Sequence, residues 1–156
     1  SENGAVAIDI SDDALKVADY NKKYNNADYI KLIKSDMFSS SECEQYKNED
    51  NRFDVIVSNP PYIPTKDIDE LSEEVRLHDP VLALDGDTDG LKFYKAITKQ
   101  SVNYLKENGY LCYEIGYNQA EDVRNIMEQC GYSGIKVIKD LAGLDRVVIG
   151  RLNNIN

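Results

Sequence analysis

The chain has 156 residues, of which 42% are hydrophobic and 29% are charged, a composition typical of a folded globular domain. Its formal net charge of −10 argues against a protein that grips nucleic-acid phosphates through a basic face, and it is compatible with a basic protein partner. His78 is the only histidine, so there is almost no material for a histidine-based metal site or a Ser-His-Asp triad. We therefore expect no metal and no direct contact with nucleic acid.

No apolar run approaches the roughly 20 residues that a membrane span requires, so we expect a cytoplasmic protein without membrane contact. The three cysteines are widely spaced and form no C-x-x-C pair. They are interpreted as reduced thiols, with Cys112 and Cys130 in the core.

The N-terminal third is predicted to form two short strands joined by a helix. Ala5–Ile10 has the composition of a short buried strand, and Ser11 follows as the N-cap of a helix that runs toward Tyr24. Tyr29–Ile33 is the second strand. Residues 39–52 are predicted to be a polar surface segment with a little helix.

Both of these strands are followed by an acidic residue. Asp9 lies near the tip of the first, where two carboxylate oxygens suit the two hydroxyl donors of a ribose. An ordinary solvated loop aspartate is the alternative. Asp36 and Met37 follow the second strand, where the acid can accept from an adenine amino group and the methionine can cover the ring.

The stretch Phe53–Tyr62 dominates the functional interpretation. An apolar, β-branched run with the length of a buried strand ends abruptly in Asn59, Pro60, Pro61 and Tyr62. Each proline fixes its own φ at about −65° and biases the preceding residue toward extended conformations. The Asn59 side chain is therefore presented in a fixed direction.

The polar atoms at this strand end indicate a site for a planar –NH2 group. The Asn59 side-chain oxygen and the Pro60 carbonyl are two neighbouring acceptors, and Tyr62 is a flat surface beside them. Acceptors that pull on the N–H bonds of an amide or aromatic amine favour the pyramidal geometry in which the nitrogen lone pair attacks an electrophile. The alternative is an ordinary turn, since Asn and Pro are common turn residues. The position after a strand favours a site, because open parallel sheets bind ligands there.

The middle of the chain is predicted to contain two helices separated by a loop. Thr65–Arg76 has helical spacing, and Leu77–Gly90 is predicted to be a loop with Asp89 capping the next helix. That helix is amphipathic from Leu91 to Leu105, and Asn108-Gly109 is predicted to close it.

The last third predicts a strand, a helix and an antiparallel pair of strands. Asn118 and Glu121 resemble the capping box of the helix. The strands are Tyr110–Ile115, Ile135–Ile138 and Arg146–Leu152. Strands and helices in alternation, followed by an antiparallel pair, predict an α/β sheet that is mostly parallel with a mixed edge.

Four sequence blocks occur in the order of a known family: NPPYI at 59–63, EEVRLHDPVLALDGDTDGL at 73–91, EIGYNQ at 114–119 and KDLAGLDRVVIG at 139–150. With these blocks the chain resembles the catalytic domain of the HemK-like release-factor glutamine N5-methyltransferases over essentially its whole length. NPPY alone is shared with many amino-methyltransferases, and the combination with the later blocks is much more specific.

The resemblance implies a Rossmann-like class I fold, the cofactor S-adenosyl-L-methionine (SAM), and the Gly-Gly-Gln glutamine of a peptide chain release factor as substrate. The implied substrate-binding residues are Asn59, Pro60, Pro61 and Tyr62, of which Asn59 and Pro60 are catalytic. The implied cofactor-binding residues are Asp9, Ile10, Asp36, Met37 and Asn59.

The chain departs from the family pattern at three places. His78-Asp79-Pro80 stands where an aromatic residue, Glu and Pro are usual, and Asp85 stands where a second Gly usually precedes Gly86. The family's catalytic domain also begins with a strand and a glycine-rich loop under the cofactor, preceded by a helical domain. Neither is matched here, and Gly4 is the only glycine before Gly86.

We therefore expect residues 1–156 to form a single, partial catalytic domain, the C-terminal part of a longer enzyme. The missing strand would leave the strands that end at Asp9 and Asn59 with unpaired edges. The isolated chain is then expected to bind SAM weakly or not at all, and to self-associate.

Two alternatives stand beside the glutamine methyltransferase. A nucleic-acid amino-methyltransferase, acting on adenine N6 or cytosine N4, would use the same four residues but needs a positive surface, whereas this chain is acidic. The other alternative is a non-catalytic interaction domain that has lost its cofactor loop. The absence of the glycine-rich loop supports this alternative.

Overall fold

The computed structural model describes residues 4–78 and 80–153. The chain forms two compact units, divided between Asn51 and Arg52. Asp79, one of the positions at which the sequence departs from the family pattern, lies outside the described residues. None of the helices in the described ranges is long and apolar enough to cross a membrane.

The first unit is built on two parallel strands, β1 (Ala5–Asp9) and β2 (Ile30–Lys34). The helix between them, α1 (Asp12–Tyr24), begins after Ser11, whose hydroxyl accepts from the Ala14 N–H. Both predicted strands and the Ser11 cap are confirmed, with β2 shifted by one residue.

The polar segment that follows contains two short 3-10 helices, Ser41–Lys47 and Glu49–Asn51. Cys43 lies on the first of these and is the buried thiol, whereas Cys112 and Cys130 are only half-buried. The prediction that Cys112 and Cys130 lie in the core is therefore wrong, because Cys130 lies at the C-terminus of a helix and Cys112 on an incompletely covered strand. All three are free thiols, as predicted.

The second unit is built on a mixed four-stranded sheet. Its strands are β3 (Phe53–Ser58), β4 (Leu105–Glu114), β5 (Tyr132–Lys139) and β6 (Asp145–Leu152). The order is β3-β4-β6-β5, with β3 parallel to β4 and with β6 antiparallel to both of its neighbours. The predicted α/β architecture with an antiparallel C-terminal hairpin is confirmed.

Two helices cover this sheet, α4 (Lys92–Ser101) and α5 (Ala120–Gln129). Each buries one amphipathic face, in agreement with the helical spacing of the sequence. The fully buried side chains of the unit include Tyr94, Thr98, Leu105, Leu111, Tyr113, Val123, Met127 and Val148. The Thr98 hydroxyl and the Tyr113 hydroxyl are 2.8 Å apart, so the buried polar atoms of this core are paired.

The predicted helix from Leu91 to Leu105 is too long. α4 ends at Ser101, and Leu105 is fully buried as the first residue of β4. Asn108 has a positive φ of 65° and marks an irregular pairing, since Phe53 opposes Leu105 whereas Val55 opposes Tyr110. The turn that was expected to close a helix therefore forms a bulge inside a strand.

The predicted helix Thr65–Arg76 and the loop after it are also divided differently. A 3-10 helix, Thr65–Glu70, ends at Leu71, whose extended backbone separates it from α2 (Glu73–His78). A further short helix, α3 (Val81–Leu84), follows Pro80 inside the segment predicted as a loop. Proline is pre-organised for a helix N-terminus, which explains why a helix begins there.

β3 is less buried than its apolar sequence predicts. Val55 is 48% and Val57 is 75% exposed, and within the described residues β3 pairs only with β4. The expectation of a buried strand is wrong for these side chains, because β3 lies at an edge of its sheet.

Candidate active site

In the first unit the ends of β1 and β2 lie at one edge of the parallel pair. The Ser35 N–H donates to the Asp9 carbonyl at 3.0 Å, so the residues after β2 are joined to the end of β1. One carboxylate oxygen of Asp9 accepts from the Ser11 N–H at 2.8 Å. The Asp9 side chain is exposed and is directed by this turn.

The loop after β2 is ordered by short-range contacts. The buried Ser35 hydroxyl accepts from the Ser40 N–H at 2.9 Å, and the Ser39 N–H donates to the Asp36 carbonyl at 3.0 Å. Met37 has a positive φ of 50°, which is uncommon for a residue with a side chain. Strained backbone of this kind is held in place by its surroundings and is frequent at ligand sites.

The residues of this edge fit a nucleoside. Asp9 and Asp36 are exposed carboxylates on one unit, and both follow parallel strands at their carboxyl ends. Ile10 is 46% exposed and Met37 is half-buried, so apolar surface lies next to each acid. Carboxylates suit hydroxyl and amino donors, and apolar side chains suit the faces of a base or sugar.

In the second unit the segment Asn59–Tyr62 follows the end of β3. Asn59 is exposed, Pro60 is buried, and Pro61 and Tyr62 are half-buried. Within residues 4–78 and 80–153, no group donates a hydrogen bond to the Asn59 side-chain oxygen or to the Pro60 carbonyl. Among the described residues, neither oxygen therefore has a competing donor.

The backbone after Tyr62 is paired with a distant segment. The Ile63 N–H donates to the Leu84 carbonyl at 3.0 Å, and the Gly86 N–H donates to the Ile63 carbonyl at 2.8 Å. The Thr65 N–H donates to the Asp87 carbonyl at 3.1 Å. Two neighbouring segments thus form a short parallel bridge that fixes the chain beyond the two prolines.

Asp85, one of the departures from the family pattern, takes part in this bridge. Its carboxylate accepts from the Thr65 hydroxyl at 2.7 Å and from the Asp87 N–H at 2.9 Å. The Thr88 N–H and the Lys92 side chain in turn lower the pKa of Asp87. Asp85 therefore has a structural partner that a glycine at this position would lack.

Gln119 is the residue that sequence reasoning missed. The capping box predicted at Asn118 is wrong, since Gln119 is the N-cap residue of α5 and no side chain caps that helix. Instead the buried Gln119 amide donates to the Tyr62 carbonyl at 3.0 Å. The signal in the sequence is that Gln119 ends the block EIGYNQ, three residues after Gly116 at the tip of a strand.

A cleft of about 330 Å³ opens beside Tyr62 within the second unit. Asp67, Asp89 and Asp122 line it together with Arg146, whose guanidinium is bound by Asp140 and by the Ile115 carbonyl. The Leu144 N–H and Arg146 lower the pKa of Asp140, and Lys95 with the Leu91 N–H lowers the pKa of Asp89. Three aspartates and one arginine thus line the cleft, which suits a ligand rich in N–H donors. The predicted cap at Asp89 is wrong, because Leu91 is the N-cap residue of α4 and no side chain caps that helix; Asp89 instead accepts from the Leu91 N–H at 2.9 Å.

The tyrosine beneath the site stays protonated. The Tyr94 hydroxyl donates to the Glu114 carbonyl at 3.0 Å, and its ring meets the Tyr113 ring edge-on at 5.1 Å. Burial, and secondarily the neighbouring Tyr62 and Glu114, raises the pKa of Tyr94 well above its ordinary value. Tyr94 thus supports the end of β4 as a neutral donor.

Comparison with known proteins gives consistent matches. The family model described as Eco57I restriction-modification methylase matches residues 4–126. A protein named release factor glutamine methyltransferase from Fusobacterium nucleatum is 40% identical over 149 residues, which cover 96% of this chain and 40% of that protein. One of the same name from Clostridium acetobutylicum is 40% identical over 142 residues, or 90% and 48% of the two chains.

A solved structure supports the fold. A methyltransferase from Pyrococcus furiosus matches with a TM-score of 0.66 and 17% identity over 97% of this chain and 64% of that one. This likeness shows the fold alone, and it confirms the predicted Rossmann-like class I sheet. The relatives confirm the predicted resemblance to HemK-like enzymes, and this chain spans less than half of the length of each of the two.

Proposed function

We propose a function from the premise that this chain belongs to the Eco57I restriction-modification methylase family. In this proposal, the chain takes part in the SAM-dependent transfer of a methyl group to the side-chain amide nitrogen of a glutamine in a protein. The observation that carries this proposal is the pair of available acceptors on Asn59 and Pro60, on a segment whose far end is anchored.

The two acceptors match the two N–H bonds of a primary amide. The Asn59 side-chain oxygen and the Pro60 carbonyl would each accept one of them, and Pro61 and Tyr62 would form the surface beside the amide. Hydrogen bonding of both N–H groups draws the nitrogen away from its planar, delocalised geometry. The nitrogen lone pair then becomes available for attack, and no strong base is needed.

The first unit would hold the cofactor. Asp9, next to Ile10, would accept from the ribose hydroxyls, and Asp36 with Met37 would contact the adenine. When bound, SAM supplies a methyl group on a positively charged sulfur. Asn59 and Pro60 would orient the glutamine nitrogen for attack on that methyl group, and the proton that the nitrogen loses would pass to water.

The protein substrate we propose is a peptide chain release factor. The relatives named above carry this substrate in their names. Asp67, Asp89 and Asp122 line the cleft beside Tyr62, and the whole chain has a net charge of −10, so a backbone or side chain with positive or N–H groups fits it better than a phosphate.

A second candidate is an amino-methyltransferase of nucleic-acid bases. The match to a restriction-modification methylase model favours it, because exocyclic amines of bases present the same –NH2 geometry. The net charge of −10 counts against it, since base flipping requires contacts to backbone phosphates.

The test is methyl transfer by the product of the complete gene. It is incubated with SAM and, in parallel, with a release factor, with the same factor carrying Ala in place of the Gly-Gly-Gln glutamine, and with duplex DNA. Intact-mass and peptide mapping should find one methyl group on the glutamine of the first factor only. A methyl group on adenine or cytosine would favour the second candidate, and no transfer to any substrate would leave a non-catalytic interaction domain.

A further inference from the structure

We infer that Gln119 is the positioning residue of the Asn59–Tyr62 segment: its buried side-chain amide holds the Tyr62 carbonyl and thereby fixes the two acceptors that grip the substrate. This inference rests on the proposed function for its catalytic consequence. The positioning itself is argued only from contacts within the second unit.

The Gln119 side chain joins three separate parts of this unit. Its oxygen accepts from the Gly116 N–H at 3.0 Å, and its nitrogen donates to the Tyr62 carbonyl at 3.0 Å and to the Gly90 carbonyl at 3.3 Å. The side chain is 7% exposed, and both ends of the amide are used. Because the amide is planar, the three partners are held in one fixed arrangement.

Glycines allow the backbone to approach this amide closely. A Cβ on Gly116 would lie 2.8 Å from the Gln119 oxygen, and a Cβ on Gly90 would lie 2.8 Å from its nitrogen. On the other side, a Cβ on Gly86 would lie 2.8 Å from the Tyr62 Cα. Real Cβ atoms do not approach so closely, so larger residues at these positions would displace either the amide or Tyr62.

The Asn59–Tyr62 segment has few N–H donors of its own, so it relies on hydrogen bonds from other parts of the unit. Pro60 and Pro61 carry no N–H, so the chain after β3 cannot continue a ladder of backbone hydrogen bonds. The Tyr62 carbonyl, bound by Gln119, therefore anchors the far end of the segment together with the backbone bonds of Ile63 and Thr65. β3 fixes one end of the acceptors and Gln119 the other.

An ordinary helix cap does not explain this residue. Gln119 begins α5, yet its side chain makes no capping bond to that helix and reaches a residue 57 positions away. A residue that only closed its own helix would contact the first turn. The side chain is directed to the Asn59–Tyr62 segment instead.

The first test replaces Gln119 by Leu, with Gln129→Leu as the control on an exposed position of the same helix. Hydrogen–deuterium exchange of the peptide 59–65 should become faster in Gln119→Leu, because Tyr62 is no longer held and the adjacent bonds from the Ile63 and Thr65 N–H groups to Leu84 and Asp87 should open more often. Exchange in the β5–β6 hairpin should stay unchanged. The control should match the wild type in both regions, and equal exchange of peptide 59–65 in all three proteins would overturn the inference.

The second test follows methyl transfer. We expect Gln119→Leu to lose roughly tenfold to a hundredfold in kcat, as misplacement of reacting groups does, with the KM for SAM nearly unchanged. A loss confined to the KM for SAM, or none at all in an active wild type, would contradict a positioning role. If the wild type transfers no methyl group at all, the proposed function fails, and the exchange experiment still decides the geometry.

Gln119→Glu gives a pH signature that a purely structural role would not produce. The carboxylate can still accept from Gly116 but cannot donate to Tyr62 or Gly90 while it is ionised. Burial next to two carbonyl oxygens raises the pKa of such a group, and its protonated form regains one donor. The ratio of Gln119→Glu to wild-type kcat should therefore rise as the pH falls from about 8 to about 6. A ratio that is flat with pH would argue against the donor role.

Discussion

The strand end at Asp9 and the strand end at Asn59 are stabilised by contacts of different range along the sequence. At the first, the bonds from Ser11 to Asp9 and from Ser40 to Ser35 join residues two and five positions apart. At the second, the bonds around Tyr62 and Thr65 join residues 20 to 57 positions apart. The first is a set of local turns joined by one backbone bond and by the exposed Lys34–Asp12 ion pair, and the second is held mainly by bonds between distant segments.

This difference has a cause in the chain chemistry. Ser and Asp can bond to backbone groups a few residues away, so a loop rich in them orders itself. Two consecutive prolines have no N–H to offer, so the Asn59–Tyr62 segment depends on partners supplied elsewhere. Changes far from Asn59 in sequence should therefore disturb its strand end, whereas changes at Asp9 should stay local.

The largest effect is expected for Asn59→Ala, which removes one of the two acceptors. By analogy with the loss of one oxyanion-hole donor, the transition state should lose roughly 3 to 4 kcal/mol, or a few hundredfold in kcat. Initial rates with a release factor measure this. Asn103→Ala, an exposed position in the same unit, is the control, and near wild-type turnover of Asn59→Ala would show that Asn59 is only a turn residue.

Gly90→Ala should lower the free energy of unfolding, because it disturbs the contacts that hold Tyr62. Gly90 has a positive φ of 71°, and an added Cβ would collide with the Tyr62 carbonyl and with Gln119. Strain and overpacking together should cost about 2 to 4 kcal/mol in urea unfolding. Gly143→Ala separates the two effects, because Gly143 has a positive φ of 81° and open space around it, so only about 1 to 2 kcal/mol should be lost there. Equal losses for both variants would show that the close approach to Tyr62 does not matter.

Asp9→Asn tests the strand end at Asp9, where short-range hydrogen bonds form the turns. The amide oxygen of Asn can still accept from the Ser11 N–H, so the turn should survive, while the negative charge toward the ribose is lost. A hydrogen bond to a charged group contributes about 1.5 to 3 kcal/mol, so the KM for SAM should rise roughly tenfold to a hundredfold with little change in kcat. Asp13→Asn, an exposed acid paired with Lys16, should leave that KM unchanged. An unaltered KM in Asp9→Asn would mark Asp9 as a solvated loop residue.

The smallest effect is expected for Asp89→Asn and concerns pH. The Lys95 side chain and the Leu91 N–H lower the pKa of Asp89 in the folded state, so ionised Asp89 stabilises the fold above its ordinary value of 3.8. That contribution is lost as the pH falls below 3.8 through the lowered folded value. The side chain is half-exposed, so less than about 1 kcal/mol is expected at pH 7, shrinking toward zero in strong acid. Urea unfolding at several pH values measures it, and a further loss when Lys95→Met is added would contradict this pairing.

Much of the fold follows from short sequence patterns. The Ser11 cap, the strands β1 and β2, and the order of the strands were correctly predicted from periodicity and capping residues. The predictions fail where contacts between residues far apart in the sequence determine the local structure. Leu105 continues an amphipathic helical pattern, yet it is the first residue of β4 because it is buried opposite Phe53. Leu71 likewise fits a helix by spacing, but its extended backbone ends one.

The candidate site divides in the same way. The sequence by itself supplies the candidate residues, an amide followed by two prolines and an acid after a strand, and their chemical roles stay a prediction. Only the tertiary structure decided what holds them. The prolines of Asn59–Tyr62 leave the segment without donors, and the residue that supplies one, Gln119, lies 57 positions away from Tyr62. Hydrogen bonds of that range depend on how the strands pair and the helices pack, and no local pattern of residues specifies them.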